Sequence, residues 1–379
     1  MRIPSSSLLF PRILTRKNRF RSLSVDASDG DLVHLIEAIF LELGRSLTAD
    51  SDARLSVLSA REIAAFNPEA LAWGLRRDHA ASLSFRCRAL SDPRTATRVA
   101  RIYRALSLVH GALTSKRAMR KRSVYYADVQ LFGSQSASDA ALLDCAALLC
   151  VPASRLGVHA SPRGLVRGAL MLNGVDCSEC SQLIPAAGEA DGGALPAVHV
   201  RDDVRFVLVV EKEASFQTLL AADFDRTHSC VLVCGRGYPD VGTRMLVRAL
   251  ANSCSAPQLA LVDGDPHGVE ILLTYTVGSK NYAADAADCN VRHLRWIGLH
   301  VADAEAMRLP QQALLPLTPA DRKCGERLLQ SAALAQCRGA WREQVVAMLE
   351  RGTKVELQAI GEQQLASYIT QKIEQTTWL

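Results

Sequence analysis

Apolar residues recur at helical spacing near the N-terminal end of the chain. Six of them follow Asp31 at intervals of three and one: Leu32, Leu35, Ile36, Ile39, Phe40 and Leu43. This spacing is typical of one face of a helix, which Asp31 would cap and which would end near Gly44. The face needs burial, either in the core of this chain or against a partner subunit. The pattern leaves both open; docking of a partner is our hypothesis for the predicted helical region 31–90.

A second helical stripe occupies residues 94–113, with arginines on the opposite side. Its apolar residues are Val99, Ile102, Leu106, Val109 and Leu113. A basic turn, two tyrosines and another helix from about Ser138 to Leu149 follow, and Pro152 stops that helix. Five further residues indicate a hairpin: Gly157, Arg163, Gly164, Arg167 and Gly168. Helix, turn, helix and hairpin predict a winged-helix-like DNA-binding module over residues 91–172.

After Arg205 the pattern changes to short apolar runs that alternate with helical segments. The predicted strands are Phe206–Val210, Cys230–Cys234 and Gln258–Val262. A helical segment follows each strand, the first of them over Ser215–Ala222. This alternation predicts a parallel α/β sheet, and ligands in such sheets bind at the carboxyl ends of the strands.

Acidic residues stand at two of these strand ends. Glu211 follows the first strand, and Asp263 and Asp265 follow the third in a glycine-containing turn. A single pair of this kind is more often a solvated turn. Two clusters at equivalent ends of one sheet, however, predict an oxygen shell suited to Mg²⁺.

The charge of the chain is unevenly distributed. The formal net charge is +5, and six basic residues lie in the first 25 positions, which contain no acid. We interpret residues 1–30 as a basic arm or an organelle-targeting segment. The segment 94–122 contains nine basic residues and no acid: Arg94, Arg98, Arg101, Arg104, Lys116, Arg117, Arg120, Lys121 and Arg122. Such a segment predicts a polyanion-binding surface.

Composition limits the class of protein. With 379 residues, 49% of them hydrophobic and 22% charged, the chain is long enough for two or three globular domains. No apolar run is long enough for a membrane span, so we expect no membrane partner. The 11 cysteines are scattered, which predicts reduced thiols, and we interpret Cys177 and Cys180 as a loop pair rather than a metal site.

Several ordered motifs carry a family resemblance. The acidic strand ends resemble the toprim domain of topoisomerases and primases. The segments RSVYYADVQLF (122–132), VVEKEASF (209–216), GRGYPDVGTR (235–244), LVDGDPHGVEI (261–271), LRWIGL (294–299) and LLPLTPADR (314–322) resemble the meiotic double-strand-break family of the sporulation-eleven kind, homologous to the A subunit of topoisomerase VI. The resemblance spans roughly residues 95–375. It implies a toprim domain with a helical extension over 201–379, joined by a linker over 173–200.

The resemblance also implies roles for individual residues. Tyr126 would be the nucleophile that joins the 5′ end of cut DNA, with Arg122 as its basic partner. We expect Tyr125 to pack under the winged helix instead. Glu211, Asp263 and Asp265 would bind Mg²⁺. The other eight basic residues of the segment 94–122 would contact double-stranded DNA. The enzyme would work as a homodimer in the nucleus, with the tyrosine of one subunit facing the metal site of the other.

Three functions remain open, of which the first is preferred. They are a transesterase that starts meiotic recombination, the A subunit of a strand-passing topoisomerase, and a non-catalytic DNA-binding paralogue. Enzymes of the second kind belong to the ATP-hydrolysing type II class, but this chain has no Walker A sequence. Any ATPase would therefore be on a B-like accessory subunit. The intact tyrosine, arginine and acids argue against the third function.

Overall fold

The computed structural model describes residues 28–48, 54–57, 64–67, 72–75, 86–89, 92–149, 151–187, 196–337 and 339–379. The predicted basic arm falls almost wholly outside the described residues. The chain divides into two compact units near residue 160. Residues 280–284 also belong to the first unit and residues 66–74 to the second. No helix within the described ranges is both long and apolar enough to cross a membrane.

The α-helices and strands are numbered here in chain order. The helices are α1 Asp29–Thr48, α2 Pro93–Ser115, α3 Lys121–Tyr126, α4 Val129–Phe132, α5 Gln135–Leu149, α6 Glu213–Ala221, α7 Phe224–Thr227, α8 Val241–Ser253, α9 Pro266–Thr276, α10 Ala286–Cys289, α11 Asp303–Ala306, α12 Pro319–Leu329, α13 Ala332–Cys337, α14 Gly339–Arg351 and α15 Glu362–Glu374. The strands are β1 Arg54–Val57, β2 Ala64–Asn67, β3 Ala72–Leu75, β4 Arg86–Ala89, β5 Met119–Arg120, β6 Val158–His159, β7 Leu165–Gly168, β8 Leu170–Leu172, β9 Val175–Asp176, β10 Gln182–Leu183, β11 Val198–Val200, β12 Phe206–Val210, β13 Cys230–Cys234, β14 Gln258–Leu261, β15 Arg295–Gly298, β16 Leu315–Pro316 and β17 Thr353–Lys354.

The first unit is built around α1, α2 and α5. The apolar stripes predicted for α1 and α2 both enter one buried core. Leu32 and Ile36 are fully buried there, so the stripe fills the core of this chain and the docking hypothesis is wrong for that face. Ser28, rather than Asp31, caps α1: the Ser28 amide donates to Asp31 Oδ2 at 2.8 Å, and the Asp31 amide donates to Ser28 Oγ at 3.2 Å.

Within the predicted helical region 31–90, α1 is the one helix among the residues that the structure describes. Four strands of four residues follow it, and β1 pairs antiparallel with β4. Each strand is too short to show a clear period, and its partner can lie far along the chain. The local sequence pattern therefore carries no signal for this pairing.

The second unit contains a six-stranded sheet with the order β10-β7-β13-β12-β14-β15. Strands β13, β12, β14 and β15 are parallel, which confirms the predicted α/β arrangement. Val207 and Val209 of β12 enter one core, whereas Phe206, Leu208 and Val210 enter another. The sheet is buried on both faces, which explains why its strands are continuously apolar.

Two expectations for the segment before this sheet are wrong. β7, which was expected in the hairpin of the DNA-binding module, instead pairs antiparallel with β13. Gly168 permits this approach, because a Cβ there would lie 2.4 Å from the Cys230 carbonyl oxygen. The expected linker 173–200 contributes β10 to the sheet and β11 to a pair with β8. Strands of two or three residues give no periodic signal in a sequence.

Candidate functional site

Tyr126 is the last residue of α3, and its side chain is 68% exposed. The helix is anchored by Val124, which is fully buried. Tyr125 packs against the core of the first unit, as expected, and its ring centroid lies 5.3 Å from that of Tyr126. Asp128 ends the turn after Tyr126 by accepting from the Leu131 amide at 3.1 Å, which starts α4. Tyr126 thus projects from a corner between two short helices.

Three arginines of α2 that were predicted to bind DNA have partners within the first unit. Arg98 makes two bonds, of 2.8 and 2.7 Å, to the buried carboxylate of Asp144. Arg101 Nε donates to the Leu131 carbonyl at 2.8 Å, and Arg104 Nη2 donates to the Ala127 carbonyl at 3.2 Å. These bonds tie α2 to α5 and to the turn beside Tyr126. A role in holding that turn was not predicted.

Apart from Arg94, the remaining basic residues of the predicted DNA-binding segment lie in the turn after α2 and at the start of α3. Lys116, Arg117, Arg120 and Arg122 are exposed, and Lys121 is half-buried. The side chain of Arg94 lies outside the described residues. The turn is held at one point by β5, which pairs parallel with β6. Arg122 and Tyr126 are four residues apart in α3, and therefore lie on the same side of that helix.

The predicted acids are brought together at the carboxyl edge of the sheet in the second unit. Glu211 follows β12, and Asp263 and Asp265 follow the neighbouring strand β14. The Asp263 amide donates to Glu211 Oε2 at 2.9 Å, and the Gly268 amide donates to Asp265 Oδ1 at 2.7 Å. Asp265 thereby caps α9. The two strand ends form one acidic cluster, as the sequence predicts.

The environment of the acidic cluster disfavours uncompensated negative charge. Burial, followed by the charge of Asp263, raises the pKa of Glu211 to about 8. Burial also raises the pKa of Asp263, although bonds from Lys212 and the Leu357 amide act in the opposite direction. The side-chain atoms of Glu211, Asp263 and Asp265 that could bind a metal ion are all carboxylate oxygens, and a divalent cation would relieve the repulsion between them. This donor set and charge fit Mg²⁺.

Lys212 is a member of this cluster that the sequence analysis missed. Its Nζ lies 2.8 Å from Asp263 Oδ2, 2.9 Å from Glu356 Oε2 and 2.7 Å from Gln358 Oε1. Burial opposes its charge, but the bonds to Asp263 and Glu356 outweigh this and raise the pKa of Lys212. Its place next to Glu211 in the VVEKEASF motif was the available signal. Nothing in the sequence pointed to Glu356 or Gln358.

The C-terminal segment around residue 355 also supports the acidic cluster through its backbone. The Gly264 amide donates to the Val355 carbonyl at 2.8 Å, and the Leu357 amide donates to Asp263 Oδ1 at 2.9 Å. A Cβ at position 264 would lie 3.3 Å from the Val355 carbonyl oxygen, so glycine suits this approach. The turn that contains Asp263 is therefore held by two backbone contacts with the C-terminal segment, one at Val355 and one at Leu357.

A different cluster brings together nitrogen, oxygen and sulfur atoms. Among the described residues, one group of His, Cys, Asp and Glu side chains has all its ligand atoms within 4.8 Å of one another: His267, Glu270 and Cys324. Arg327 Nη2 lies 2.7 Å from Glu270 Oε1 and 3.3 Å from Cys324 Sγ. The guanidinium already supplies positive charge to this group, which contains none of the predicted magnesium ligands.

Two family models match the chain. The model for the Toprim domain of the topoisomerase 6 A subunit and Spo11 matches residues 206–373, and the model for type IIB DNA topoisomerase matches residues 97–158. The A subunit of DNA topoisomerase 6 from Arabidopsis thaliana is 32% identical over 354 residues, which cover 91% of this chain and 80% of the relative. The chain belongs to the family of topoisomerase 6 A subunits and Spo11.

Relatives in this family have two kinds of name. Meiotic recombination protein SPO11 of Mus musculus is 33% identical over 271 residues, 71% of this chain and 68% of the relative. The A3 subunit of DNA topoisomerase 6 from Oryza sativa subsp. indica is 35% identical over 301 residues, 77% of this chain and 67% of the relative. The family resemblance and the toprim domain are thus confirmed, and the chain is a topoisomerase-like, DNA-cleaving enzyme.

Proposed function

We propose that this chain is a Mg²⁺-dependent transesterase that makes DNA double-strand breaks and thereby starts meiotic recombination. The observation that carries the proposal is the pairing of two features in a member of this family. One is an exposed tyrosine beside a basic turn, and the other is a buried acidic cluster on a toprim sheet. The first feature supplies a nucleophile for a phosphodiester, and the second supplies ligands for a hard cation.

In the proposed reaction, Tyr126 Oη attacks a backbone phosphorus atom. A bond forms between this oxygen and phosphorus, the bond from phosphorus to the 3′ oxygen breaks, and the 3′ oxygen takes up a proton. The protein is left on the 5′ phosphate, and the energy of the phosphodiester is conserved in the phosphotyrosine. The tyrosine proton passes to solvent or to a general base.

The phenol must be activated for this attack. An ordinary phenol has a pKa of about 10, so ionising it at pH 7 costs roughly 4 kcal/mol. Arg122 lies one helical turn before Tyr126 and is exposed, so its guanidinium is available to the phosphate and the developing phenolate. The arginines that hold the turn, Arg101 and Arg104, keep the tyrosine-bearing corner in place.

Glu211, Asp263 and Asp265 would hold the Mg²⁺. When bound, the ion would neutralise charge that develops on the phosphate oxygens during cleavage. Asp263 and Asp265 each accept a bond from a backbone amide, which restricts their rotamers and would keep their carboxylates in place for the ion. Lys212 restrains the second oxygen of Asp263.

A double-strand break needs two tyrosines, because each tyrosine cuts one strand. We therefore propose a homodimer on double-stranded DNA in the nucleus, in which the tyrosine of one subunit works with the acidic cluster of the other. An ATP-binding accessory subunit related to the B subunit of topoisomerase VI is the proposed partner. The winged-helix character of residues 91–160 is part of the same proposal. Its support is the family match at 97–158 and the helical order of α2, α3 and α5.

The A subunit of a strand-passing topoisomerase is the second candidate, because relatives named as topoisomerase 6 A subunits are as similar to this chain as those named SPO11. The two functions differ in the fate of the covalent product. A break-making enzyme is released with a short oligonucleotide attached to its tyrosine, whereas a strand-passing enzyme religates the DNA.

The experiment that tests the proposal is recovery of the full-length protein from cells in meiosis. After denaturation, terminal transferase labels the 3′ ends of any DNA attached to the protein. The protein is then digested with a protease to release the phosphotyrosyl peptide. We expect a labelled peptide that contains Tyr126 and carries a short 5′-linked oligonucleotide. Absence of linked DNA from meiotic cells, together with ATP-dependent relaxation of supercoiled DNA in the presence of a B subunit, would support the second candidate instead.

A further inference from the structure

The ammonium group of Lys212 lies in a cage of three oxygens. Its Nζ contacts Asp263 Oδ2, Glu356 Oε2 and Gln358 Oε1 at 2.7 to 2.9 Å. Two of these oxygens are carboxylates and the third is an amide oxygen. These are the oxygen types that bind hard divalent cations in proteins. The Lys212 ammonium therefore occupies a place whose oxygen ligands would suit a metal ion.

The cage is shared with the acidic cluster through Asp263. Oδ1 of this residue accepts from the Leu357 amide, while Oδ2 contacts Lys212. Glu356 stands one residue before Leu357 and adds a fourth carboxylate to Glu211, Asp263 and Asp265. Four carboxylates balanced by one lysine and one divalent ion leave one net negative charge, whereas two divalent ions without the lysine would neutralise the group.

The cage is built on backbone contacts that do not involve the lysine side chain. The Gly264 amide donates to the Val355 carbonyl at 2.8 Å, and the Val355 amide donates back at 3.2 Å. With the Leu357 bond, these contacts fix Asp263 and Glu356 next to each other. Loss of the ammonium would therefore leave the cage oxygens close together, with unbalanced negative charge.

We propose that Lys212 is a resident cation at a second cation position, and that it limits each chain to one divalent ion. This inference rests on the magnesium site of the proposed function. Lys212 is a positioning residue in this scheme: it holds Asp263 toward the bound ion and excludes a second ion from the Asp263, Glu356 and Gln358 oxygens. A neutral side chain at residue 212 would leave this second cation position accessible to a metal ion.

Counting bound Mn²⁺ tests the proposal on the full chain. Mn²⁺ replaces Mg²⁺ in sites made of oxygen ligands. In an electron paramagnetic resonance titration, the decrease of the six-line signal of free Mn²⁺ gives the number of ions bound per chain. We expect one ion in the unsubstituted protein and two in Lys212→Met, whose unbranched side chain is one atom shorter and lacks the ammonium. The two ions share the Asp263 carboxylate, so their spins should couple and broaden the bound spectrum.

Three further variants make the count specific. Lys212→Arg keeps the charge and should bind one ion. The double variant Lys212→Met with Glu356→Gln removes a cage carboxylate and should return the count to one. Lys212→Gln provides a second neutral variant if Lys212→Met does not fold, with folding of each variant followed by circular dichroism.

The failures of the two proposals have different signatures. An unsubstituted protein that binds no Mn²⁺ would overturn the magnesium site itself. Binding of one ion by the unsubstituted protein and one or none by both neutral variants would overturn only the role of Lys212 as a resident cation. Two ions in the unsubstituted protein would do the same, because the lysine would then exclude nothing.

Discussion

Tyr126 and the acidic cluster are held in opposite ways. Tyr126 is 68% exposed at the end of a six-residue helix, with Tyr125 as its ring neighbour. The acids are largely buried, and backbone amides, Lys212 and the C-terminal segment restrain them. The proposed cation site is therefore preorganised within one chain. The proposed nucleophile, in contrast, is presented to a ligand that must supply the rest of its surroundings.

This difference has a physical origin. A cluster of carboxylates repels itself, so it persists only where the fold supplies donors and prevents the side chains from separating. A nucleophile that must reach a phosphorus atom of a bulky polyanion has to be accessible before the DNA binds. Substitutions in the two regions should accordingly differ in what they change.

The largest effect is expected at Tyr126. Tyr126→Phe removes one exposed hydroxyl, so we expect covalent attachment to DNA to fall by roughly 10⁴-fold or more, while folding and DNA binding are retained. Denaturing gels of labelled DNA measure the adduct, and gel shifts measure binding. Tyr125→Phe is the matched control and should keep its activity. An exchange of phenotypes between the two variants would place the nucleophile one residue earlier.

A large effect is also expected in the acidic cluster, but of a different kind. Glu211→Gln or Asp263→Asn removes a charged ligand, so cleavage should need at least about 10-fold more Mg²⁺, if it is detectable at all. Glu213→Gln is the control from the same motif. Glu213 pairs with Arg236 at the surface, so its loss should leave the Mg²⁺ midpoint unchanged. Equal midpoints in all three variants would remove Glu211 and Asp263 from the site.

A smaller effect is expected at Arg122. Arg122→Ala should lower the rate of cleavage by roughly 10- to 100-fold while the affinity for DNA falls less, since the guanidinium acts on charge that develops in the transition state. Single-turnover cleavage at saturating DNA separates the two quantities. Arg122→Lys should recover part of the rate. If weaker binding explains the whole loss, Arg122 is a phosphate anchor only.

The smallest effect distinguishes two classes of arginine in the basic segment. Arg117→Ala should reduce the slope of log affinity against log salt by about 0.9, the value of one phosphate contact. Arg98→Ala should leave the slope unchanged and lower the stability of the first unit, because it leaves the buried Asp144 carboxylate without this partner. Fluorescence titrations at several salt concentrations give the slopes, and urea unfolding gives the stability. A flatter slope for Arg98→Ala would instead show that Arg98 contacts a DNA phosphate.

Much of the second unit could be predicted from local pattern. The strands β12 and β13 have the predicted bounds, and β14 ends one residue early. Parallel strands place Glu211 and Asp263 at one edge, so the acidic cluster followed from the strand assignment alone. The long stripes of α1 and α2 were equally visible, because a helix that buries one face repeats its apolar residues over many turns.

What only the tertiary structure decided was which surfaces face each other. The stripe of α1 has the same sequence pattern whether it meets α2 or a partner subunit, and burial of Leu32 and Ile36 identifies α2. The same holds for Arg98, whose partner is 46 residues away, and for Lys212, whose partner Glu356 is 144 residues away. Local sequence determines the period of an element and the chemistry at its ends, because both depend on neighbouring residues. Contacts between distant residues depend on how whole elements pack, and no local pattern encodes that.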